Sequence, residues 1–199
     1  MGNKANSLEE MDAIVGIKAP EPPKPMKVGG ASGRSNKGIA VPAEPNPIED
    51  DLPQIEALRS KFDIAANMHG VPAEILAAMA SRESRAGKHL DASGYDPEKK
   101  AYGIMQIDER YHKRRGKKPD SQEHINQAAE ILAKNKKQID EKFPKWTEDQ
   151  RMQAAVAAYN FGVGNVKTWK GLDIGTTGND YSKDVMERAR VYRERTGQK

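Results

Sequence analysis

The sequence predicts an α+β fold that is predominantly α-helical, occupying residues 51–199 behind a Pro/Gly-rich segment over residues 1–50. Three observations carry this. Apolar residues recur every three or four positions in five separate stretches, the spacing of a helix with one buried face. One of those stretches contains AAVAA (Ala154–Ala158), apolar on every side, which marks a helix inside a core. A single short run, AYGIMQI (Ala101–Ile107), reads instead as a strand or extended segment.

The elements follow in order. A first helix opens near Asp51 with Leu52, Ile55, Leu58, Phe62 and Ala65 on one stripe, and Gly70 ends it. Pro72 sits just inside the second helix, where its missing N–H costs nothing. That helix carries Ile75, Leu76, Met79 and Glu83. A charged, turn-rich stretch leads to Ala101–Ile107. A third helix places Ile125, Ala128, Leu132, Ile139 and Phe143 on one face. Thr147 and Gln150 have capping-box spacing and open the fourth. The last helix runs from about Asn179 with Tyr181, Val185, Ala189 and Tyr192.

At 199 residues the chain is long enough for one domain with a real core and too short for two large ones. It carries 33 Lys plus Arg against 29 Asp plus Glu, a formal +4, and 36% hydrophobic residues. The absence of cysteine excludes a disulfide scaffold, a cysteine nucleophile and a Cys-ligated metal. Four widely spaced His point to no metal site, and no cofactor is expected. No apolar run approaches the roughly 20 residues of a membrane helix.

Residues 1–50 hold 7 Pro and 6 Gly, with six basic and seven acidic side chains. Such a composition buries too little apolar surface to offset its ordering entropy. The segment reads as a flexible tail or linker, or as a delivery address recognised by a partner. Glu9, Glu10 and Asp12 interrupt the apolar run a secretory signal needs, and Asn6 stands where an N-myristoylation pattern has Ser or Thr.

Glu83 is the first candidate for chemistry. Positions 76, 79 and 83 share one helix face, so Glu83 extends an apolar stripe. Dehydration raises a carboxyl pKa, and such a group can act as a general acid. The alternative is an ion pair with Arg82 or Arg85, or a residue that simply ends the helix. Asp96, in SGYDP, and Asp108, closing GIMQID, are both residues a turn uses. One protonated carboxyl facing one ionised carboxylate is also the minimum set for cutting a glycosidic bond. Tyr159 and Asn160, released from the buried helix into a Gly-containing turn, offer a flat ring and an amide to a sugar. They equally suit a core Tyr and a helix C-cap. The basic run RYHKRRGKK around His112 suggests nucleic acid, yet no nucleic-acid motif accompanies it, and a solvated loop that meets anionic wall polymer is the preferred reading.

SRESRAGK (Ser81–Lys88), YGIMQID (Tyr102–Asp108), FPKWTEDQ (Phe143–Gln150), AYNFGVGNV (Ala158–Val166) and LDIGTTGNDYSKDVMERARVY (Leu172–Tyr192) resemble goose-type lysozyme in order and spacing, over roughly residues 50–197. A weaker echo begins at GGAS (Gly29–Ser32). The Glu-Ser, Gly-x-Met-Gln and Ala-Tyr-Asn elements are shared with soluble lytic transglycosylases. The Asp after Met-Gln and the DIGTT segment are narrower and point to the goose type. The resemblance implies a lysozyme-like fold with a small sheet at the substrate cleft, and a catalytic domain over 51–199. It implies Glu83 as catalytic acid, Asp96 and Asp108 as the aspartates that hold or activate water, and Gln106, His112, Tyr159, Asn160 and Tyr181 along the saccharide cleft. Bird members carry disulfides that this chain lacks. One extra residue separates Asp96 from Gly103, and SGYDPEKKAYG replaces a Gly-rich turn.

The implied reaction is inverting hydrolysis of peptidoglycan between N-acetylmuramic acid and N-acetylglucosamine, with acid and base about 6.5–9.5 Å apart. A lytic transglycosylase would use Glu83 alone and yield 1,6-anhydro products. A glycan-binding module without catalysis is a further alternative. Lacking cysteines and a recognisable signal, the protein is expected to fold in the cytoplasm and act on cell wall in the periplasm or extracellular space. A secretion-system effector, a phage endolysin and a non-classically released animal lysozyme all fit. The expected partners are glycan strands and a protein inhibitor or immunity protein in the cleft, with the enzyme a monomer.

Overall fold

In the computed structural model, which describes residues 46–97 and 101–197, six helices surround one two-stranded sheet. They are α1 (Pro47–Ala57), α2 (Arg59–His69), α3 (Ala73–Ser84), α4 (Gln122–Lys142), α5 (Glu148–Phe161) and α6 (Tyr181–Thr196). Strands β1 (Ala101–Tyr102) and β2 (Ile107–Asp108) lie between α3 and α4. The expectations for residues 1–45 fall outside the described residues. Among the described residues no helix is long and apolar enough to cross a membrane.

Asn46 starts α1 by accepting the Ile48 N–H on its side-chain oxygen at 3.1 Å, and Pro47 occupies the first helical position. The helix therefore begins ahead of Asp51. The single first helix read from periodicity is two helices. Leu58 leaves helical geometry at φ −107° and ψ 2°, while Ile55, Leu58 and Phe62 all stay in the core. A spacing rule sees the apolar stripe but not a one-residue break that preserves it. Gly70, left-handed at φ 67°, ends α2 as its sequence predicts. Pro72 is the residue before α3 and not its first turn.

α3 is the central helix. Every residue from Ile75 to Ser81 is buried, and it packs against α1, α2 and α6. The Ala101–Ile107 run is a hairpin and not one strand. Ala101 faces Asp108 and Tyr102 faces Ile107, with the turn made by Gly103 (φ 75°) and Gln106 (φ 46°). A Cβ on Gly103 would stand 2.3 Å from the His124 imidazole, so the hairpin sits directly on α4. α4 is capped by the Ser121 hydroxyl and α5 by the Thr147–Gln150 capping box. Ala154–Ala158 are buried, as an all-apolar run requires. α6 begins at Tyr181, two residues after Asn179.

The main core joins Ile55, Phe62, Leu76, Met79, Met105, Ile125, Leu132, Val156 and Val185 from all six helices and the hairpin turn. A second cluster gathers Ile139, Ala157, Val166 and Leu172 beside Phe143, Trp146 and Phe161.

Candidate active site

A cleft of about 680 Å³ is lined by Glu83, Gln106, Asp108, His112, Tyr159 and Asn160 among others. Five separate segments therefore deliver their side chains to one place: the last turn of α3, the hairpin turn, the end of β2, the loop after it, and the end of α5. Of the other residues expected at the site, Asp96 and Tyr181 are not among those lining this cleft.

Glu83 owes its place to how α3 stops. Arg85 and Ala86 both adopt left-handed backbone, at φ 53° and φ 52°. Residues with a Cβ each sacrifice about 1–2 kcal/mol to do so, so the surroundings must hold them there. The hold comes from Asp51 of α1, which is fully buried. Arg85 Nε donates to both its carboxylate oxygens at 3.0 and 2.9 Å. The Ser81 hydroxyl donates to it at 2.7 Å, and Lys88 stands 3.2 Å away. Arg188 of α6 completes the cluster by donating to the Ser81 hydroxyl at 2.8 Å. Burial would raise the Asp51 pKa, but these donors outweigh it and hold the carboxyl below its ordinary value.

Neither neighbouring arginine is hydrogen-bonded to Glu83. Arg85 belongs to Asp51, and Arg82 pairs with Asp180 and Asp184. The group that meets Glu83 is the Tyr181 hydroxyl, donating to Oε1 at 2.5 Å from the first residue of α6. Tyr181 is itself buried. Burial pushes the Glu83 pKa up to about 7, against the Tyr181 hydrogen bond and the Arg82 charge, which pull it down. Glu83 is thus a cleft-facing carboxyl that holds its proton close to neutral pH.

Asp108 has the opposite electrostatics. The Arg110 side chain bonds its carboxylate and holds its pKa below the ordinary value, despite some dehydration. Asp96 stands across β1 from Asp108. Its N–H donates to the Ala101 carbonyl at 3.2 Å. Its side-chain Oδ1 accepts the Ala101 N–H at 3.0 Å. Ala101 in turn faces Asp108, so the two aspartates flank one strand residue.

The remaining lining residues are tied down by the backbone. Tyr159 donates its hydroxyl to the Met105 carbonyl at 2.9 Å, and the Met105 N–H donates to His124 Nε2 at 3.2 Å. Gln106 Nε2 donates to the Gly103 carbonyl at 2.9 Å. Asn160 is not a helix cap, since α5 continues to Phe161 and Gly162 follows it. Its amide instead grips Thr177, accepting that residue's N–H at 3.0 Å and donating to its hydroxyl at 3.1 Å. His112 is exposed at the rim. Sequence reasoning passes over Asp51, Ser81, His124 and Arg188. Asp51 sits in an acidic helix start that normally faces solvent, and only the tertiary pairing distinguishes it.

Residues 26–196 match the family model for lysozyme g. The chain belongs to the lysozyme g family. It is similar to lysozyme g of Casuarius casuarius, 38% identical over 146 residues covering 73% of this chain and 78% of that protein. Lysozyme g of Cyprinus carpio is 39% identical over 159 residues, 80% of this chain and 84% of the relative. Lysozyme g of Gallus gallus is 43% identical over 120 residues, 60% and 56% of the two chains. The lysozyme g match begins at residue 26 and so takes in GGAS (Gly29–Ser32), within the stretch whose composition suggests a tail.

Proposed function

We propose that the cleft between α3, the hairpin and α5 is the catalytic centre of a muramidase that hydrolyses the β-1,4 bond between N-acetylmuramic acid and N-acetylglucosamine in peptidoglycan. As a lysozyme g the protein is a glycoside hydrolase. The observation that carries the mechanism is the contrast between two carboxyls lining one cleft. Glu83 is dehydrated and titrates at about 7, while Asp108 is held ionised by Arg110. Environments that push two carboxyl pKa values apart assign acid and base.

Glu83 delivers its proton to the glycosidic oxygen as that bond breaks. Asp108 takes a proton from a water on the far side of the sugar, and the water oxygen bonds to the anomeric carbon with inversion. Asp96 is a positioning residue: its carboxylate accepts the N–H of Ala101, the strand partner of Asp108. Tyr181 is a positioning residue that fixes Oε1 of Glu83. Gln106, His112, Tyr159 and Asn160 contact the saccharide. A small protein inhibitor or immunity protein would block the enzyme by filling this cleft.

The test is lysis of a cell-wall suspension followed by turbidity. Glu83→Gln keeps the size of the side chain and removes its acid function, so the rate falls by about 10²–10⁴-fold, with an unchanged circular dichroism spectrum. Lysis by the variant at the wild-type rate would sink the assignment. Mass spectrometry of the digest separates hydrolysis from transglycosylation: a reducing-end product is one water heavier than a 1,6-anhydro product.

A further inference from the structure

Next to the cleft, Arg110 grips Asp108, one of the cleft's lining residues, and the hydrolytic scheme gives that grip no role toward substrate. Its Nε donates to Oδ1 and Oδ2 of Asp108 at 2.9 and 3.0 Å, and its Nη2 to Oδ2 at 2.5 Å. Its backbone N–H adds a bond to Oδ1 at 2.9 Å. One guanidinium therefore occupies both oxygens of the carboxylate assigned as base. A carboxylate held this way is well ionised, and most of its acceptor sites are already taken by Arg110.

The restraint is easily released. The Arg110 side chain is 66% exposed, against 24% for Asp108, and an exposed ion pair contributes little net free energy. The guanidinium also has a second contact at hand. Its carbon lies 5.6 Å from the centre of the Tyr111 ring, and Tyr111 lines the same cleft while remaining 77% exposed. A planar cation can stay over that ring while it changes its carboxylate partner.

We propose that Arg110 is a specificity residue that senses substrate charge: it restrains Asp108 in the empty cleft and passes to a carboxylate carried by the muramic acid side chain of a bound strand, which frees Asp108 to hold water. The inference rests on Asp108 acting as base. It makes the preference for anionic glycan a property of turnover as well as of binding. A neutral β-1,4 glycan supplies no carboxylate to draw Arg110 away. The recruiting carboxylate comes either from the lactyl group itself or from the acidic stem peptide attached to it.

Three substrates separate these cases: chitohexaose, which has no carboxylate, peptide-free peptidoglycan strands, which expose lactyl carboxylates, and peptide-bearing strands. Arg110→Gln raises kcat on chitohexaose by about fivefold, the factor set by losing an exposed ion pair. It lowers kcat/KM on the charged strands, and Arg110→Lys partly restores the preference. Recruitment by the lactyl group narrows the gap for peptide-free strands. Recruitment by the peptide narrows it only for peptide-bearing ones. Equal losses of Arg110→Gln on all three substrates would show a prop for Asp108 and overturn the proposal. So would chitohexaose turnover by Arg110→Gln no faster than wild type. Failure of the base assignment has a different signature: Asp108→Asn would keep wild-type rates on every substrate.

Discussion

The tuning of Glu83 makes two predictions about pH. On the proposed mechanism its protonated form is the active one, so kcat/KM falls as pH rises through about 7. With Asp108 as the proposed base, the acid limb is expected below the ordinary carboxylate range, because Arg110 lowers its pKa. Tyr181→Phe removes a bond that favours the charged form of Glu83. Its pKa then rises further, and the alkaline limb of a pH–rate profile moves to higher pH. A shift to lower pH would contradict this account of the site. Stability follows the same linkage with its sign reversed from the usual carboxylate case. A folded pKa raised above the unfolded one costs stability as pH climbs past the unfolded value, and the cost is complete above the folded value. Glu83→Gln therefore stabilises the fold at pH 8 relative to pH 4, by on the order of 1–3 kcal/mol, readable from urea midpoints. At this scale much was legible beforehand: Glu83 continues the stripe of Leu76 and Met79, and that alone places a carboxyl against a core. Its true partner was not legible: Tyr181 lies 98 positions away, periodicity reads it as an apolar member of the last helix, and the resemblance puts it along the saccharide cleft and not on Glu83.

The elements that aim these residues are held by buried polar contacts, and they fail in predictable ways. Asp51→Ala leaves Arg85 and Ser81 without their acceptor and releases the left-handed turn after α3. A loss of about 3 kcal/mol in denaturant unfolding is expected. The sign of its pH dependence is the ordinary one. The folded pKa is depressed, so its stabilisation is full above the unfolded value and disappears as pH falls through the lower folded value. Gly103→Ala meets the His124 ring at 2.3 Å and a φ of 75° at once. It should cost about 1–3 kcal/mol and displace the hairpin, so activity drops with stability. The stop at Gly70 and the start at the Thr147–Gln150 box were legible, since each acts within a few residues of itself. The break at Leu58 and the hairpin in AYGIMQI were not. Both depend on what the chain packs against: the shared core for Leu58, and the His124 face of α4 for Gly103.

At the scale of the molecule, the chain beyond residue 50 carries 27 basic and 22 acidic residues, with Lys113, Lys117 and Lys118 on an exposed loop near the cleft rim. A net positive field speeds encounter with anionic wall polymer and weakens with salt. Lysis rates should fall as ionic strength rises from 20 to 200 mM (on the order of one Debye-length halving or more), while cleavage of chitohexaose changes far less. Fold class was legible because helical periodicity is a property of the sequence taken as a whole. The cleft was legible only through motifs, because its walls come from segments far apart in the chain. The contact between the last turn of α3 and the first residue of α6 carries this furthest. A chain still being synthesised, stopped at Asp180, has its general acid but neither the phenol nor the apolar wall that dries it. That carboxyl would remain ordinary and ionised at neutral pH. On the proposed mechanism, competence to cut therefore depends on α6, whose first residue supplies the partner of Glu83.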